Sequence, residues 1–552
     1  MVKSYARQSL VSISTKNPER YRLLKSWLRR QLCLGQTMEL LEMCSHWIMK
    51  IANALVLVTL ASTGSAFAQQ FDAPFYELKK ENGETWAQED VAIDAKLEEL
   101  EKRFGKKPNI IYILTDDIGD GELGVQGGGA TRGMPTPNLD RLAHEGMLLN
   151  GFYAEPSCTP TRVALMTGRH PVRTGLTDVI FPGNPAGLSP EEVTIAELLS
   201  DAGYATAMYG KWHLGDGEET LPHHQGFDEA FFGLYNAAPW AWNTPTERVM
   251  WNNYADVPDF FFRAPLRGKL EGKKGEKSVE VGPLNAESYT RFEEETFARV
   301  MDFVERNAKS DKPFFIYYAS HLMSQFTSHP DWEGKAPQGT HNADQMMEHD
   351  HYIGQLMKRL KDLGIAENTL VVWMSDNGPM YDLFPESSYT GLRGGKGDVL
   401  EGGVRVPAVA WWPGVIGEMQ TKAEMLHVTD MYTTAARLAG VMDAIPTDRI
   451  VDGIDQSSFL VNSTPSRRKY MFHYSGAKLG AVRVGQFKRH IAAGHGGLPG
   501  KAFFDIYKDP REEHGVMVNM LWAWVPFDDI QRMHEKMIGK FPHREPYYSK
   551  PE

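Results

Sequence analysis

Two acidic pairs close apolar runs: Asp116-Asp117 after "NIIYILT" and Asp376-Asn377 after "TLVVWMS". Four oxygen donors carried on loops suit a hard divalent cation, Ca2+ or Mg2+. Read singly, "DDxG" and "DNG" are equally ordinary turn text. There is no H-E-x-x-H spacing and no thiolate cluster, so nothing points to zinc in these motifs. Lys211 and His213 stand two apart in "GKWHLG". On an extended backbone they share a side, where an ammonium and an imidazole suit an anionic substrate and its proton transfers. Lys396 lies in "GLRGGKGDVLEGGVRVP", whose glycines allow close backbone approach to a ligand. G-x-x-x-x-G-K-[ST] is absent, so this is not a Walker loop. His321 ends another apolar run, "KPFFIYYASH".

Cys158 is the sharpest of these residues, with Pro160 at +2 and Arg162 at +4. A thiol nucleophile for phosphate esters needs C-x5-R, but position +6 is Ala164, so that reading fails. The other two cysteines, Cys33 and Cys44, precede an export-type segment. From Met49 the chain reads "MKIANALVLVTLASTGSAFAQQ": a lysine, an apolar run, and the A-x-A pattern Ala66-Phe67-Ala68. The run is too short for a membrane span. The expectation is a true start at Met49, cleavage after Ala68, a periplasmic or secreted product, and no stable membrane anchor. Removing residues 1–68 takes nine from the 59 Lys/Arg and three from the 71 Asp/Glu; 50 against 68 leaves a net −18 in place of −12. That balance excludes nucleic acid as a partner. It also leaves Cys158 as a lone cysteine: a reactive thiol, an intermolecular partner, or an altered residue.

These residues need elements to hold them. Continuous β-branched and aromatic runs at 109–117, 204–213, 312–321, 369–378 and 406–414 read as strands buried on both faces. Helical patterns at 137–146, 194–203, 297–307 and 343–364 alternate with them, several opening on Thr, Ser or Asp and ending at glycine. "AKLEELEKRF" reads as part of a leading helix. The alternation predicts an α/β fold: a large, mostly parallel sheet flanked by helices. In such sheets ligands bind beyond the carboxyl ends of the strands, where Asp116, Asp117, Lys211, His213, His321, Asp376 and Asn377 fall. From about residue 451 the texture changes to short antiparallel strands and a closing helix, "FDDIQRMHEKMIGKF". The expected division is a leader (1–68), a catalytic domain (69–450) and a C-terminal subdomain (451–552) with a smaller antiparallel sheet plus helix.

C-x-P-x-R resembles the signature of the sulfatase family of the alkaline phosphatase superfamily, in which the cysteine is oxidised to formylglycine before folding. "KPNIIYILTDDIGDGELG", "SCTPTRVALMTGRHPVRTGL", "ATAMYGKWHLG", "MSDNGP" and "GLRGGKGDVLEGGVRVPAVAWWPG" resemble its blocks in order, across about residues 107–414. "FFDIYKDPREEHGVMVN" is similar to its late strand-and-turn block. The resemblance implies a calcium-dependent, arylsulfatase-like hydrolase of small-molecule sulfate esters, matured by a formylglycine-generating enzyme. Asp116, Asp117, Asp376, Asn377 and the residue made from Cys158 would hold Ca2+, with Mg2+ the lesser fit. Arg162 would hold the aldehyde diol, Lys211 and Lys396 the sulfate oxygens, and His213 would assist the diol as base or hydrogen-bond partner. One diol hydroxyl attacks sulfur, and the other drives sulfate off as the aldehyde reforms.

One position departs from the family. A histidine for the leaving oxygen is expected near 324, where this chain has Ser324 and Gln325. His321 and His329 flank the gap; His321 is the candidate, His329 lying further into the loop. If neither reaches, turnover is limited to good leaving groups such as phenols. The aromatic-rich stretch 236–268 either lines a pocket for an aryl or sugar ring or makes a buried subdomain contact. Two other readings stay open: a phosphonate or phosphate monoester hydrolase of the same superfamily, and a decayed, non-catalytic binder of sulfated ligands.

Overall fold

The computed structural model describes residues 70–236, 267–322, 327–491, 503–516 and 518–549. The expected leader, Ser324 and Gln325, and residues 237–266 of the aromatic stretch lie outside the described residues. Gln69–Glu552 forms one compact unit.

Its centre is a ten-stranded sheet. In spatial order the strands are β12 (Gln420–Lys422), β2 (Met147–Leu149), β11 (Ala408–Trp411), β10 (Thr369–Ser375), β1 (Asn109–Thr115), β9 (Phe314–Ala319), β5 (Ala205–Lys211), β6 (Glu229–Gly233), β7 (Lys269–Lys273) and β8 (Val279–Gly282). β1 pairs in parallel with β10 (Ile110 beside Leu370) and with β9 (Ile110 beside Phe315). β5 continues the parallel set against β9 and β6. Every residue of β1, β9 and β10 is buried, the result of unbroken apolar runs with helices on both faces. Truncating one of them, as in Ile111→Ala, would cost about 2–5 kcal/mol. The run at 406–414 forms β11 but pairs antiparallel with β10. β7 and β8 finish the opposite edge antiparallel. Two short pairs, β3 (Phe152–Tyr153) with β13 (Leu426–His427) and β4 (Ala186–Gly187) with β18 (Tyr547–Tyr548), lie outside this sheet.

The flanking helices follow their caps. α1 (Ala73–Phe104) begins where the Asp72 carboxylate accepts the Ala73 N–H at 2.6 Å and ends at Gly105 with φ 74°. After α2 (Pro137–His144) and α3 (Cys158–Thr167), α4 (Ile195–Asp201) opens with a capping box of Thr194 and Glu197. α5 (Phe292–Asn307), α6 (His341–Asp362) and α7 (Asp430–Ala439) complete the layers. The Tyr112 hydroxyl on β1 donates to the Met431 carbonyl of α7 at 2.8 Å, seating that helix on the sheet.

The C-terminal part is a four-stranded antiparallel meander, β14 (Tyr470–Ser475), β15 (Lys478–Val484), β16 (Phe487–His490) and β17 (Phe503–Asp505), followed by α8 (Trp524–Lys540). Tyr470, Phe472, Val482, Phe503 and Phe527 share a small core of their own with Val172. His534 of α8 bridges the Tyr474 hydroxyl and the Asp72 cap, and Arg173 donates to Asp72 at 2.7 Å. The two ends of the described unit are thus tied through one buried carboxylate. Among the described residues no helix is long and apolar enough to cross a membrane.

Candidate active site

The parallel strands deliver their carboxyl ends to one rim. Asp116 and Asp117 follow β1, Asp376 and Asn377 follow β10, Lys211 closes β5, and His321 is the second residue past β9. The two acidic turns are laced together: the Asp117 N–H donates to Asp376 Oδ1 at 3.1 Å and the Ile118 N–H to Ser375 Oγ at 2.9 Å. Asp117 (φ 58°) and His213 (φ 59°) both take the left-handed conformation, which non-glycine residues keep only where their surroundings over-determine it.

Cys158 is the first residue of α3, a helix with all ten residues buried and its positive end toward the rim. Pro160 is tolerated because first-turn N–H groups have no intrahelical acceptor. Lys396 Nζ donates to Cys158 Sγ at 3.1 Å, and the thiol lies 3.4 Å from Asp116 Oδ1. Lys211 Nζ donates to both Asp116 oxygens at 2.8 Å, and Lys396 Nζ to the Asp117 oxygens at 2.6 and 2.9 Å. One guanidinium nitrogen of Arg162 donates to Asp376 Oδ2 at 3.0 Å and lies 3.6 Å from Asp116 Oδ1. The other donates to the Lys211 carbonyl at 3.0 Å and the Tyr317 hydroxyl at 3.2 Å.

The charges sort themselves by these contacts. Burial opposes ionisation of Asp116, but Lys211, Lys396 and Arg162 hold its carboxyl well below the ordinary value. Burial and the neighbouring Asp116 raise Asp376. Burial, Asp116 and Asp376 push the Cys158 thiol up to about 12, despite the two lysines. Burial works against the charge of Lys396, yet Asp117 and its neighbours hold it well above the ordinary ammonium value.

Ligand atoms of Asp116, Asp117, Cys158 and Asp376 lie within 4.8 Å of one another. Asn377 Nδ2 donates to Asp117 Oδ1 at 2.6 Å and the Gly378 carbonyl at 2.8 Å, while its Oδ1 is buried without a hydrogen bond. An unpaired buried oxygen beside three carboxylates is a donor set that fits a hard divalent cation.

Both histidines stay neutral. Burial and the charges of Lys211 and Arg162 hold His213 well below its usual value. The strand ends at Lys211, so the extended geometry expected for the Lys211–His213 pair does not continue. Instead the left-handed turn lets His213 Nε2 donate to the Ile180 carbonyl at 2.8 Å, leaving Nδ1 buried without a hydrogen bond. Burial and Lys211 likewise depress His321. Its Nδ1 meets the Tyr289 hydroxyl at 3.2 Å, its backbone N–H donates to Glu293 Oε2 at 2.9 Å, and its Nε2 is buried without a hydrogen bond. His329 lies elsewhere, held by Arg291 at 3.0 Å and Glu294 at 3.2 Å.

The Lys396 loop is pressed onto the Cys158 segment: the Gly397 N–H donates to the Pro156 carbonyl at 2.7 Å from a backbone with φ 91°. At Gly378 an added Cβ would lie 1.8 Å from the Gly402 carbonyl oxygen, so only glycine lets the two loops touch. Behind the loop, Glu401 accepts from Lys488 (3.0 Å) and Tyr153 (2.6 Å), and its N–H donates to Glu512 Oε2 at 2.6 Å. Three contributors had no distinguishing mark in the sequence: Tyr317, the Glu401–Lys488–Glu512 network, and Thr161. The Thr161 hydroxyl donates to the Asp376 carbonyl at 2.5 Å and accepts the Glu155 N–H at 3.0 Å.

The family profile described as Sulfatase matches residues 108–441, which contain every one of the rim residues above. The chain belongs to the sulfatase family. Among its relatives, human arylsulfatase A is 37% identical over 429 residues, 73% of this chain and 78% of that protein. Dog N-acetylgalactosamine-6-sulfatase is 35% identical over 407 residues, 70% of this chain and 72% of that protein. The crystal structure of the PsFucS1 sulfatase from Pseudoalteromonas sp. superposes with a TM-score of 0.78 at 33% identity, covering 83% of this chain and 96% of that one. This sulfatase is a sulfuric ester hydrolase, with the large mixed sheet and small C-terminal sheet of its structural relatives.

Proposed function

We propose that this sulfatase hydrolyses small-molecule sulfate monoesters, aryl sulfates or similar, through a formylglycine made from Cys158. A formylglycine-generating enzyme supplies that residue during maturation. A divalent ion, calcium in preference to magnesium, is held by Asp116, Asp117, Asp376, Asn377 and the modified residue. The observation that carries this reading is the state of the thiol. It is buried 3.4 Å from Asp116 Oδ1 and 3.1 Å from Lys396 Nζ, where burial, Asp116 and Asp376 favour the protonated form, and as a thiol it is a poor nucleophile. A hydrated aldehyde at that position supplies the nucleophilic hydroxyl, and a second hydroxyl to expel sulfate. The metal supplies a lowered hydroxyl pKa and charge neutralisation when bound.

The contacts support the remaining roles of Arg162, Lys211 and Lys396, and the family resemblance those of His213 and His321. Arg162, fixed by Asp376, Tyr317 and the Lys211 carbonyl, orients residue 158. Lys211 and Lys396 bind sulfate oxygens and offset charge that grows in the transition state. His213, neutral and with Nδ1 free of hydrogen bonds, takes a proton from the residue at 158. His321 stands for the leaving oxygen, a role it fills by hydrogen bonding from the neutral imidazole. Beside Lys396 a cavity of about 310 Å3, lined also by Thr177, Asp178, Val179 and Ser475, offers room for the alcohol part of the ester.

The proposal includes export to the periplasm or medium, with residues 1–68 as leader, 69–450 as catalytic domain and 451–552 as C-terminal subdomain. It is tested by mass spectrometry of the Cys158 peptide from active, natively expressed protein, together with turnover of a chromogenic aryl sulfate before and after chelation. The aldehyde mass and chelator-sensitive turnover are expected. Full activity with a thiol throughout, or indifference to chelator, overturns the mechanism.

A further inference from the structure

A second group of metal-competent side chains lies away from the acidic pairs. Glu155, His170 and His427 are buried, and their ligand atoms fall within 4.8 Å of one another. Glu155 Oε1 is 2.7 Å from His170 Nδ1 and 3.8 Å from His427 Nε2, and the two imidazole rings are 5.2 Å apart. The Glu155–His170 contact satisfies those two groups. His427 is left over: its Nε2 is fully buried, aimed at the shared carboxylate, and makes no hydrogen bond. Its other nitrogen meets the Thr429 hydroxyl at 2.9 Å. The Thr429 backbone N–H donates to that nitrogen at 3.3 Å, so it is an acceptor and the ring proton sits on Nε2, facing Glu155, where a bound ion would displace it. Leaving such a group unpaired costs about 1–3 kcal/mol.

We propose that Glu155, His170 and His427 hold a divalent transition-metal ion of the zinc class. Two imidazoles and a carboxylate are the three protein ligands of open zinc sites. This nitrogen-rich set differs from the all-oxygen acidic pairs, so the two sites select different ions. The surroundings supply what such a site needs. The Thr429 hydroxyl steadies the His427 ring from its other nitrogen, and Asp452 Oδ2 accepts the His170 backbone N–H at 2.8 Å, fixing that residue's main chain. Of the three, Glu155 borders the cavity beside Lys396, together with Pro171 and Tyr474. Binding displaces the proton shared by Glu155 and His170. The site also touches the catalytic frame, because the Glu155 N–H donates to the Thr161 hydroxyl that braces Asp376.

The test uses the full chain. Calorimetric titration with Zn2+ in excess Ca2+ is expected to give one ion per chain with proton release. Co2+ is expected to give the visible absorption of a four-coordinate nitrogen-oxygen site. His427→Ala and Glu155→Gln each weaken Zn2+ binding at least tenfold, about the size that even outer partners command, while Asp117→Asn leaves it unchanged. The inference is overturned if the wild-type chain takes up no Zn2+ in excess Ca2+, or if binding survives His427→Ala and is lost in Asp117→Asn. Glu218, His223 and His224 form another two-imidazole, one-carboxylate group; the Co2+ spectrum is expected to survive His223→Ala/His224→Ala, and its loss there overturns the inference.

Discussion

Lys488→Met isolates the buried charge network behind the Lys396 loop. Lys488, Glu401 and Glu512 have side chains with 0% exposure, and the ammonium lies 3.0 Å from Glu401 Oε1 and 3.2 Å from Glu512 Oε1. Removing one partner of a buried pair costs about 3–5 kcal/mol, because the other charge stays buried. Here two carboxylates lose their cation, but Tyr153 still donates to Glu401 and His490 still faces Glu512 at 2.6 Å. Those surviving bonds place the expected loss near the lower end, about 3 kcal/mol. Urea unfolding followed by tryptophan fluorescence measures it. The double variant Lys488→Met/Glu401→Gln is expected to recover at least about 1 kcal/mol, the coupling of a contacting pair. Because Glu401 closes the loop that carries Lys396, kcat for an aryl sulfate should fall in the single variant under conditions where it stays folded. A single variant within about 0.5 kcal/mol of wild type, the size of a surface change, with unchanged kcat, would refute the reasoning.

Three further outcomes are expected. His349 accepts the Trp373 indole N–H at 2.8 Å and burial lowers it to about 3 from the ordinary histidine value of 6.5. The unfolded chain therefore binds a proton the native state refuses, and stability falls as pH drops from about 6.5 toward 3. His349→Gln should remove one proton, about 1.4 kcal/mol per pH unit, from that slope; an unaltered slope counts against it. His321→Ala should lower kcat on alkyl sulfates about 10²-fold or more and much less on a nitrophenyl sulfate; equal losses on both would remove His321 from the leaving-group role. Asp117→Asn should raise the Ca2+ needed for half-maximal activity about 10- to 100-fold, read by titration after chelation; an unshifted requirement excludes Asp117 as a ligand.

The strands at 109–115, 205–211, 314–319 and 369–375 were legible because burial on both faces demands an unbroken apolar run, and each run stops where polar groups meet the rim. Direction was not legible: nothing in 406–414 marks β11 as antiparallel, since a doubly buried strand looks the same either way. α3 escaped for a related reason. With all ten residues buried, "CTPTRVALMT" has no polar face and so no helical period to read. Tyr317 and Tyr318 show the limit within one strand. Alternation puts them on opposite faces, but only the fold reveals that Tyr317 meets Arg162 and Tyr318 meets Glu293. Lys488, in "GQFKRH", reads as a surface cation until the chain brings Glu401 to it from 87 residues away.

The complete burial of Cys158 at the head of α3 fixes an order of events. Once the chain has closed, no protein catalyst reaches that sulfur, so whatever alters it acts on an open chain. With Cys158 converted as proposed, maturation and folding compete for the same interval. A chain that folds first keeps its thiol and leaves the pool of convertible molecules. The active fraction of a preparation is then set by a ratio of two rates, not by stability: slowing the collapse of the Cys158 segment raises it, and fast expression with scarce maturation enzyme lowers it. Two batches with identical melting curves can differ severalfold in specific activity, and refolding a thiol-bearing batch alone brings none of it back.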